Sequence, residues 1–146
     1  MTAPVASAIV ASLALLIGVF NVWYSVIRPW RRSRWASPAA TLELLTYPTK
    51  SGWETEERVV VTNVGPASMK DVTAAVCDKD GREYDQNVVA LWPRMPVPTL
   101  YAGQILHLKL NKNFGQTAPG SVVLRWRDGR SGIQAREIWL SYQRVI

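Results

Sequence analysis

The sequence is poor in the residues that most enzymes use for chemistry. Cys77 is the only cysteine and His107 the only histidine among 146 residues. No intrachain disulfide can form, and neither residue has an acid or a nucleophile at a suggestive spacing. Phosphate-loop, dinucleotide-binding, Gly-x-Ser-x-Gly and zinc-ligand patterns are also missing from the chain. We therefore expect no enzymatic activity, no cofactor, no metal and no small-molecule substrate.

The few residues that could carry chemistry have plain structural interpretations. Cys77 is expected to be a buried, inert thiol, and His107 a polar residue on a strand. Asp78, Asp80 and Glu83 resemble the opening of a calcium loop. The required ligand spacing fails beyond it, so a charged hairpin turn is favoured.

Charged side chains are absent from Thr2 to Ile27, a run of 26 residues. A helix of about 20 residues spans a hydrocarbon core of roughly 30 Å, so this segment is long enough. A cleaved signal peptide has a basic start and small residues after its apolar core, whereas here bulky and basic residues follow. Residues 1–27 are therefore predicted to form an uncleaved transmembrane anchor.

A basic collar follows the anchor and predicts a membrane interface. Its residues are Arg28, Trp30, Arg31, Arg32, Arg34 and Trp35. Arginines attract anionic lipid headgroups, and tryptophans favour the membrane–water boundary. Positively charged flanks stay in the cytoplasm, so we expect a plasma-membrane protein with its N-terminus outside and its C-terminal domain in the cytoplasm.

The net charge of +6 does not predict nucleic-acid binding, because it is unevenly distributed. The collar holds four of the 17 basic residues, and residues 36–146 hold 13 basic against 11 acidic side chains. The expected partners are instead the bilayer and either another membrane protein or a second copy of the chain.

One face of the anchor carries a stripe of small or weakly polar residues. Its members are Ser7, Ala11, Ala14, Gly18, Asn21 and Ser25. Small side chains let two helix backbones approach, and an asparagine can hydrogen-bond across the interface. The stripe predicts helix association, although a chance distribution of small residues explains it equally well.

After a linker over residues 28–40, the apolar period changes to two, which is typical of half-buried strands. The predicted strands are Thr41–Tyr47, Glu57–Asn63, Asp71–Asp78, Gly81–Ala90, Ile105–Leu110, Ser121–Arg127 and Gln134–Tyr142. Asp80-Gly81 and Asp128-Gly129 predict hairpin turns. Residues 41–146 are thus expected to form an all-β antiparallel sandwich, immunoglobulin-like, with Trp126 and Trp139 in or near its core.

The segment from Val59 to Gly81, VVVTNVGPASMKDVTAAVCDKDG, resembles the strand–turn–strand pattern of bacterial immunoglobulin-like modules related to cell-adhesion domains. It is also similar to small actinobacterial or phage-encoded membrane proteins with one anchor and one such domain. The resemblance implies a sandwich and protein binding. It transfers no site residues.

The segment WPRMPVP, residues 92–98, is the most unusual part of the domain. Three prolines favour an extended course, which suits either a recognition loop with exposed Trp92, Arg94 and Met95 or a rigid connection between two sheets.

The sequence as a whole predicts a non-enzymatic, single-pass binding or scaffold protein with a membrane-proximal sandwich. Two alternatives remain open. One is an exported adhesion or envelope module with reversed topology, and the other is a phage or host accessory protein that acts at the bilayer.

Overall fold

The computed structural model describes residues 3–84, 93–111 and 117–144. The chain divides into two compact units, Met1–Arg34 and Trp35–Ile146. The first unit is helical, and the second is built from strands. This confirms an N-terminal apolar helix followed by a β-rich domain.

The helical unit consists of α1 (Ala3–Val22), a π-helical turn (Trp23–Ile27) and α2 (Arg28–Arg32). Within Ser7–Arg32, an 18-residue window has a mean hydropathy of 2.0, and no residue of that window is buried. Among the described residues, this is the one helix that is long and apolar enough to span a membrane. Length and composition therefore agree with the predicted anchor.

The π turn lies immediately before Pro29. Proline has no N–H, and its ring crowds the carbonyl four residues earlier, so an ordinary helical hydrogen bond cannot form there. The Arg28 N–H instead donates to the carbonyl of Trp23, five residues back. The helix thus widens for one turn and then continues through Arg32.

Eight strands are described in the second unit. They are β1 (Pro38–Thr49), β2 (Gly52–Asn63), β3 (Met69–Asp78), β4 (Val97–Leu100), β5 (Ile105–Lys109), β6 (Pro119–Arg127), β7 (Gln134–Trp139) and β8 (Tyr142–Arg144). One sheet has the order β5-β2-β1-β8, and the other has the order β4-β3-β6-β7. All neighbours are antiparallel except β1 and β8, which pair in parallel over three residues.

The two sheets share one hydrophobic core. Alternate side chains of each strand point into it, which is the arrangement that a period of two produces. The first sheet contributes Leu42, Val59, Val61, Leu106 and Leu108, and the second contributes Val72, Ala74, Val76, Val122, Leu124 and Trp126. Burial of the valine and leucine side chains, each worth about 1.5–3 kcal/mol, is the main stabilising contribution.

Several predicted strands differ from those observed. β1 begins at Pro38, and Ala36 and Ala40 belong to the core, which places them in the domain and not in a linker up to residue 40. Within the predicted strand Gly81–Ala90, Glu83 forms only an isolated bridge with Cys77, and residues 85–90 lie outside the described residues.

The proline-rich segment contains a strand that the alternation does not predict. Among the described strands, β4 lies at a sheet edge and pairs with β3 alone. Pro98 sits in this strand without a registered partner, opposite the irregularity at Asp71, where φ is 50°. A missing N–H is tolerated at such an edge position.

The expectation for Trp126 is confirmed, and that for Trp139 is wrong. Trp126 is 3 % exposed, whereas Trp139 is 66 % exposed. On β7, Ile138 packs against the core, so its neighbour Trp139 points to the opposite face of the sheet.

Asn63 organises the turn that follows β2. Its side chain is fully buried and donates to the carbonyl oxygens of Ala67 and Leu100, at 2.7 and 3.2 Å. Its Oδ1 accepts a hydrogen bond from the Gly65 N–H at 3.2 Å. One amide group thus joins the β2–β3 turn to the end of β4.

Replacing Asn63 by Asp should destabilise the β-domain by about 1–3 kcal/mol, because a carboxylate cannot donate to two buried carbonyls. Urea unfolding of the full chain in detergent, followed by tryptophan fluorescence, measures this change. Thr62→Ala, one residue earlier and only partly buried, is the matched control. Equal midpoints for the two variants would contradict the role given to Asn63.

Candidate functional site

The point where the chain enters the β-domain is held by a buried carboxylate, Asp128. Its side chain is 0 % exposed. Oδ2 accepts hydrogen bonds from the Ala36 N–H at 3.0 Å and from the Trp126 indole N–H at 3.1 Å. Oδ1 accepts the Arg130 N–H at 2.9 Å. The β6–β7 turn is thereby fastened to the residues that precede β1.

Arg130 completes this cluster, here called the Asp128 lock: Ala36, Trp126, Asp128 and Arg130. Its guanidinium donates to Asp128 Oδ2 at 2.5 Å and to the carbonyl of Ala36 at 3.4 Å. The same group lies 5.7 Å from the ring centre of Trp35 and 5.8 Å from that of Trp126. A cation between two aromatic rings and a carboxylate is favourable at a partly covered site.

The pKa of Asp128 reflects these contacts. Burial alone would raise it, but the hydrogen bonds from Arg130, Ala36 and Trp126 outweigh burial and hold the pKa well below its ordinary value. The carboxylate is therefore ionised at neutral pH and serves as an acceptor. This geometry favours a structural role over proton transfer.

Gly65 leaves room for the same segment. A Cβ built at this position would lie 2.8 Å from the carbonyl oxygen of Trp35 and 2.9 Å from the carbonyl carbon of Ala36. The Val64 N–H also donates to the carbonyl of Ser37 at 2.9 Å. The first residues of the domain therefore contact both the β6–β7 turn and the turn that follows β2.

The collar residues Arg28, Trp30, Arg31 and Arg32 are exposed on α2, and Arg34 follows them. Two arginines cover aromatic rings: Arg28 lies 4.7 Å from the ring centre of Tyr24, and Arg34 lies 3.8 Å from that of Trp30. Trp35, assigned to the same interface, belongs to the β-domain unit beside Arg130.

The stripe residues from Ser7 to Asn21 all lie on α1 and are exposed. The hydroxyls of Ser7 and Ser25 donate to carbonyls of their own helix, at 3.0 and 2.6 Å. Ser25 falls in the π turn, where each residue advances by a smaller angle than in an α-helix. The regular stripe therefore ends at Asn21.

A long hairpin is the most prominent surface feature of the β-domain. In the part of the chain that the structure describes, β8 pairs with β1 at residues 42–44, and β5 pairs with β2 from residue 58 onward. Among these described strands, residues 45–56, here called the hairpin arm, pair with each other alone. The arm extends about 16 Å beyond its neighbours, at ~3.3 Å per residue.

The base of the arm carries an ion-pair network around Glu56, which is only 8 % exposed. Glu56 accepts hydrogen bonds from Arg58 at 2.7 Å and Lys109 at 3.3 Å. The Tyr47 hydroxyl also donates to Glu56 Oε2, at 3.4 Å. The hydrogen bond from Arg58 is the main cause of the lowered pKa of Glu56. Glu54 and Glu57, near this position, lie with Glu56 on β2.

The tip of the arm exposes aromatic surface. Trp53 is 76 % exposed, and Tyr47 is also accessible. The two-residue turn Lys50-Ser51 ends at Gly52, whose φ of 130° suits glycine. The sequence analysis did not predict this exposed aromatic tip. The Ser51-Gly52 pair followed by Trp53 was the pattern that could have indicated it.

The other sequence-predicted residues are dispersed. Trp92 lies outside the described residues, Arg94 is exposed, and Met95 packs against the core and is only partly exposed. Cys77 is buried, and burial raises the pKa of its thiol. No group of three or more potential metal-ligating side chains occurs among residues 3–84, 93–111 and 117–144.

Replacing Asp128 by Asn should destabilise the β-domain by about 3 kcal/mol at pH 7, because the charge-assisted bonds to Arg130 are lost. Urea unfolding of the full chain in detergent measures the loss. Asp71→Asn is the control, since Asp71 is exposed and lies 3.9 Å from Arg127. An exposed pair contributes less than about 1 kcal/mol. Equal losses of stability for Asp128→Asn and Asp71→Asn would contradict the structural role of the Asp128 lock.

The pH dependence of stability follows from the same group. The folded pKa of Asp128 lies below the unfolded value of about 3.9. The stabilisation that ionised Asp128 contributes is therefore fully present above the unfolded pKa and is lost as the pH falls through the folded pKa. Between pH 5 and pH 2, the wild-type protein should lose more stability than Asp128→Asn. Parallel pH profiles for the two proteins would argue against an ionised lock.

No protein-family model and no curated protein matches the chain.

Proposed function

We propose that the protein is a non-enzymatic, single-pass, membrane-anchored binding or scaffold protein. The observation that carries this proposal is the short path from anchor to domain. α2 ends at Arg32, and Ala36 is already part of the β-domain core. A few residues reach at most about 3.6 Å each, so the domain stays close to the membrane whenever the helix is inserted.

The β-domain is proposed to be an immunoglobulin-like sandwich. If β1, β2 and β5 correspond to strands A, B and E, then β3, β4, β6 and β7 correspond to C, C′, F and G. The observed orders β5-β2-β1 and β4-β3-β6-β7 agree with that assignment. The domain departs from the pattern in having its one cysteine on β3, so that neither β2 nor β6 carries one, and in adding β8 beside β1.

The proposed topology has the N-terminus outside and the β-domain in the cytoplasm. The arginines of α2 and Arg34 support it, because basic residues beside a membrane span stay on the cytoplasmic side. The free, buried thiol of Cys77 is compatible with a reducing compartment.

The hairpin arm is the proposed partner-binding surface. It combines an exposed tryptophan, a residue type enriched at binding hot spots, with strand edges along residues 45–49 that no other described strand covers. An extended segment of a partner can add to such an edge through main-chain hydrogen bonds. The proposed partner is another membrane protein or a second copy of the chain.

The topology has a direct test. A reporter fused after Ile146 that is active only in the cytoplasm should be active, and one that is active only after export should be silent. Replacing Arg28, Arg31, Arg32 and Arg34 by Ser should weaken this preference, because the positive flank sets the orientation. Activity of the exported reporter alone would favour the alternative of an exported module.

The arm is tested by a photo-crosslinking amino acid at Trp53 in native membranes. An adduct with the chain itself or with one discrete protein is expected at Trp53. Lys79, exposed in the β3 turn, is the control position and should give no such adduct. The unlabelled wild-type protein should compete for the adduct, whereas an unlabelled Trp53→Ala variant should not. Equal amounts of adduct at residues 53 and 79 would contradict the proposal that the hairpin arm binds the partner.

A further inference from the structure

Three turns of the β-domain meet around its first residues and define what is here called the tether end. They are residues 64–68, 101–104 and 128–133. The first contacts Ser37 through the Val64 N–H, and the third holds Ala36 through Asp128. The second is joined to the first, since the Gly103 N–H donates to the carbonyl of Asn63 at 2.7 Å. All three turns therefore lie where the chain enters the domain.

Each of these turns places one large hydrophobic side chain in solvent. Val64 is 64 % exposed, and Tyr101 and Ile133 are each 63 % exposed. Trp35, at the start of the domain, adds a partly exposed ring. Single exposed hydrophobic residues are common, but one on each of three adjacent turns forms a shared apolar rim.

The charges differ between the two ends of the domain. At the tether end, Lys70 and Arg127 are exposed, and Asp71 pairs with Arg127 at 3.9 Å. Asp128 is enclosed and bound by Arg130, so it presents no carboxylate to solvent. At the opposite end, where β3 and the hairpin arm finish, exposed carboxylates and exposed basic side chains are mixed: Glu54, Asp80 and Glu83 with Lys50, Lys79 and Arg82.

The length of chain between the helix and the β-domain limits which surfaces the apolar rim can contact. The Arg34 N–H still bonds to the carbonyl of Arg31 as a continuation of the helical turn, and Ala36 is fixed by Asp128. The connection is therefore only a few residues long, and it joins the domain at the tether end.

We propose that the tether end is a second membrane-contacting surface, which docks the β-domain onto the lipid interface through Val64, Tyr101, Ile133 and Trp35. Aromatic and aliphatic tips enter the boundary between headgroups and acyl chains, while Lys70 and Arg127 meet anionic headgroups. The proposal rests on the membrane anchor of the proposed function but adds a fixed orientation of the domain. The opposite end, with the hairpin arm, then faces away from the lipid.

The test uses the full chain in vesicles of phosphatidylcholine and phosphatidylglycerol, with an environment-sensitive fluorophore on single introduced cysteines. The probe positions are Val64→Cys and Ile133→Cys. Ser51→Cys at the arm turn is the matched control, and Leu16→Cys, labelled in detergent before reconstitution, reports insertion of the anchor. The parent chain reports background labelling of the buried Cys77.

Emission at residues 64 and 133 should shift to the blue and be quenched by lipids that carry a quencher on their acyl chains, while emission at residue 51 should be unaffected. Quenching at residue 16 alone would overturn the docking proposal and leave the anchor intact. Quenching at none of the positions would overturn the proposed membrane location itself.

Two further outcomes would also overturn docking. Protection of residues 64 and 133 from aqueous iodide without quenching by lipids would show that protein, and not lipid, covers the rim. Retained quenching at residue 64 after Ile133→Glu would show that the turns do not act as one surface. Circular dichroism of each variant establishes that it is folded, and Ser131→Glu, on the same turn, is the control for the added charge.

Discussion

The carboxylate of Asp128 is the interaction on which the start of the β-domain depends. A buried carboxylate is costly unless several donors bind it, and here the Ala36 N–H, the Trp126 indole and Arg130 all do so. Through these bonds one side chain joins the residues before β1 to the β6–β7 turn. Because Ala36 is fixed, the free chain between helix and domain is only a few residues long, and the proposed docking of the tether end depends on that length.

The two ends of the domain have different physical characters. The tether end combines tight turns, exposed hydrophobic tips and a carboxylate that is withdrawn from solvent. The opposite end carries the hairpin arm, whose Glu56 is neutralised by Arg58 and Lys109 and whose Trp53 is open to solvent. In the proposed function, the hairpin arm is the surface that binds the partner, at the end of the domain away from the tether.

The sequence predicts much of this fold because its signals are local. The uncharged run predicts the helix, and the alternation around Val59 and Val122 predicts buried strands. The errors come from non-local contacts. Glu54, Glu56 and Glu57 argue against a strand, because glutamate is uncommon in strands. They nevertheless lie on β2, where Lys109 from a distant strand accommodates Glu56. Pro98 argues against β4, which is tolerated only because that strand lies at an edge. The Asp128 lock could not be predicted, since it joins residues 92 positions apart.

Native-state hydrogen exchange of the reconstituted full-length chain tests the central claim most directly. If the domain begins at the Asp128 lock, the Ala36 amide should exchange only on global unfolding, at a rate like that of the core residue Val61. The Trp35 amide, one residue earlier, should exchange much faster. Rapid exchange at Ala36, with protection beginning only inside β1, would contradict the account. The chain between helix and domain would then be a flexible linker rather than a short tether.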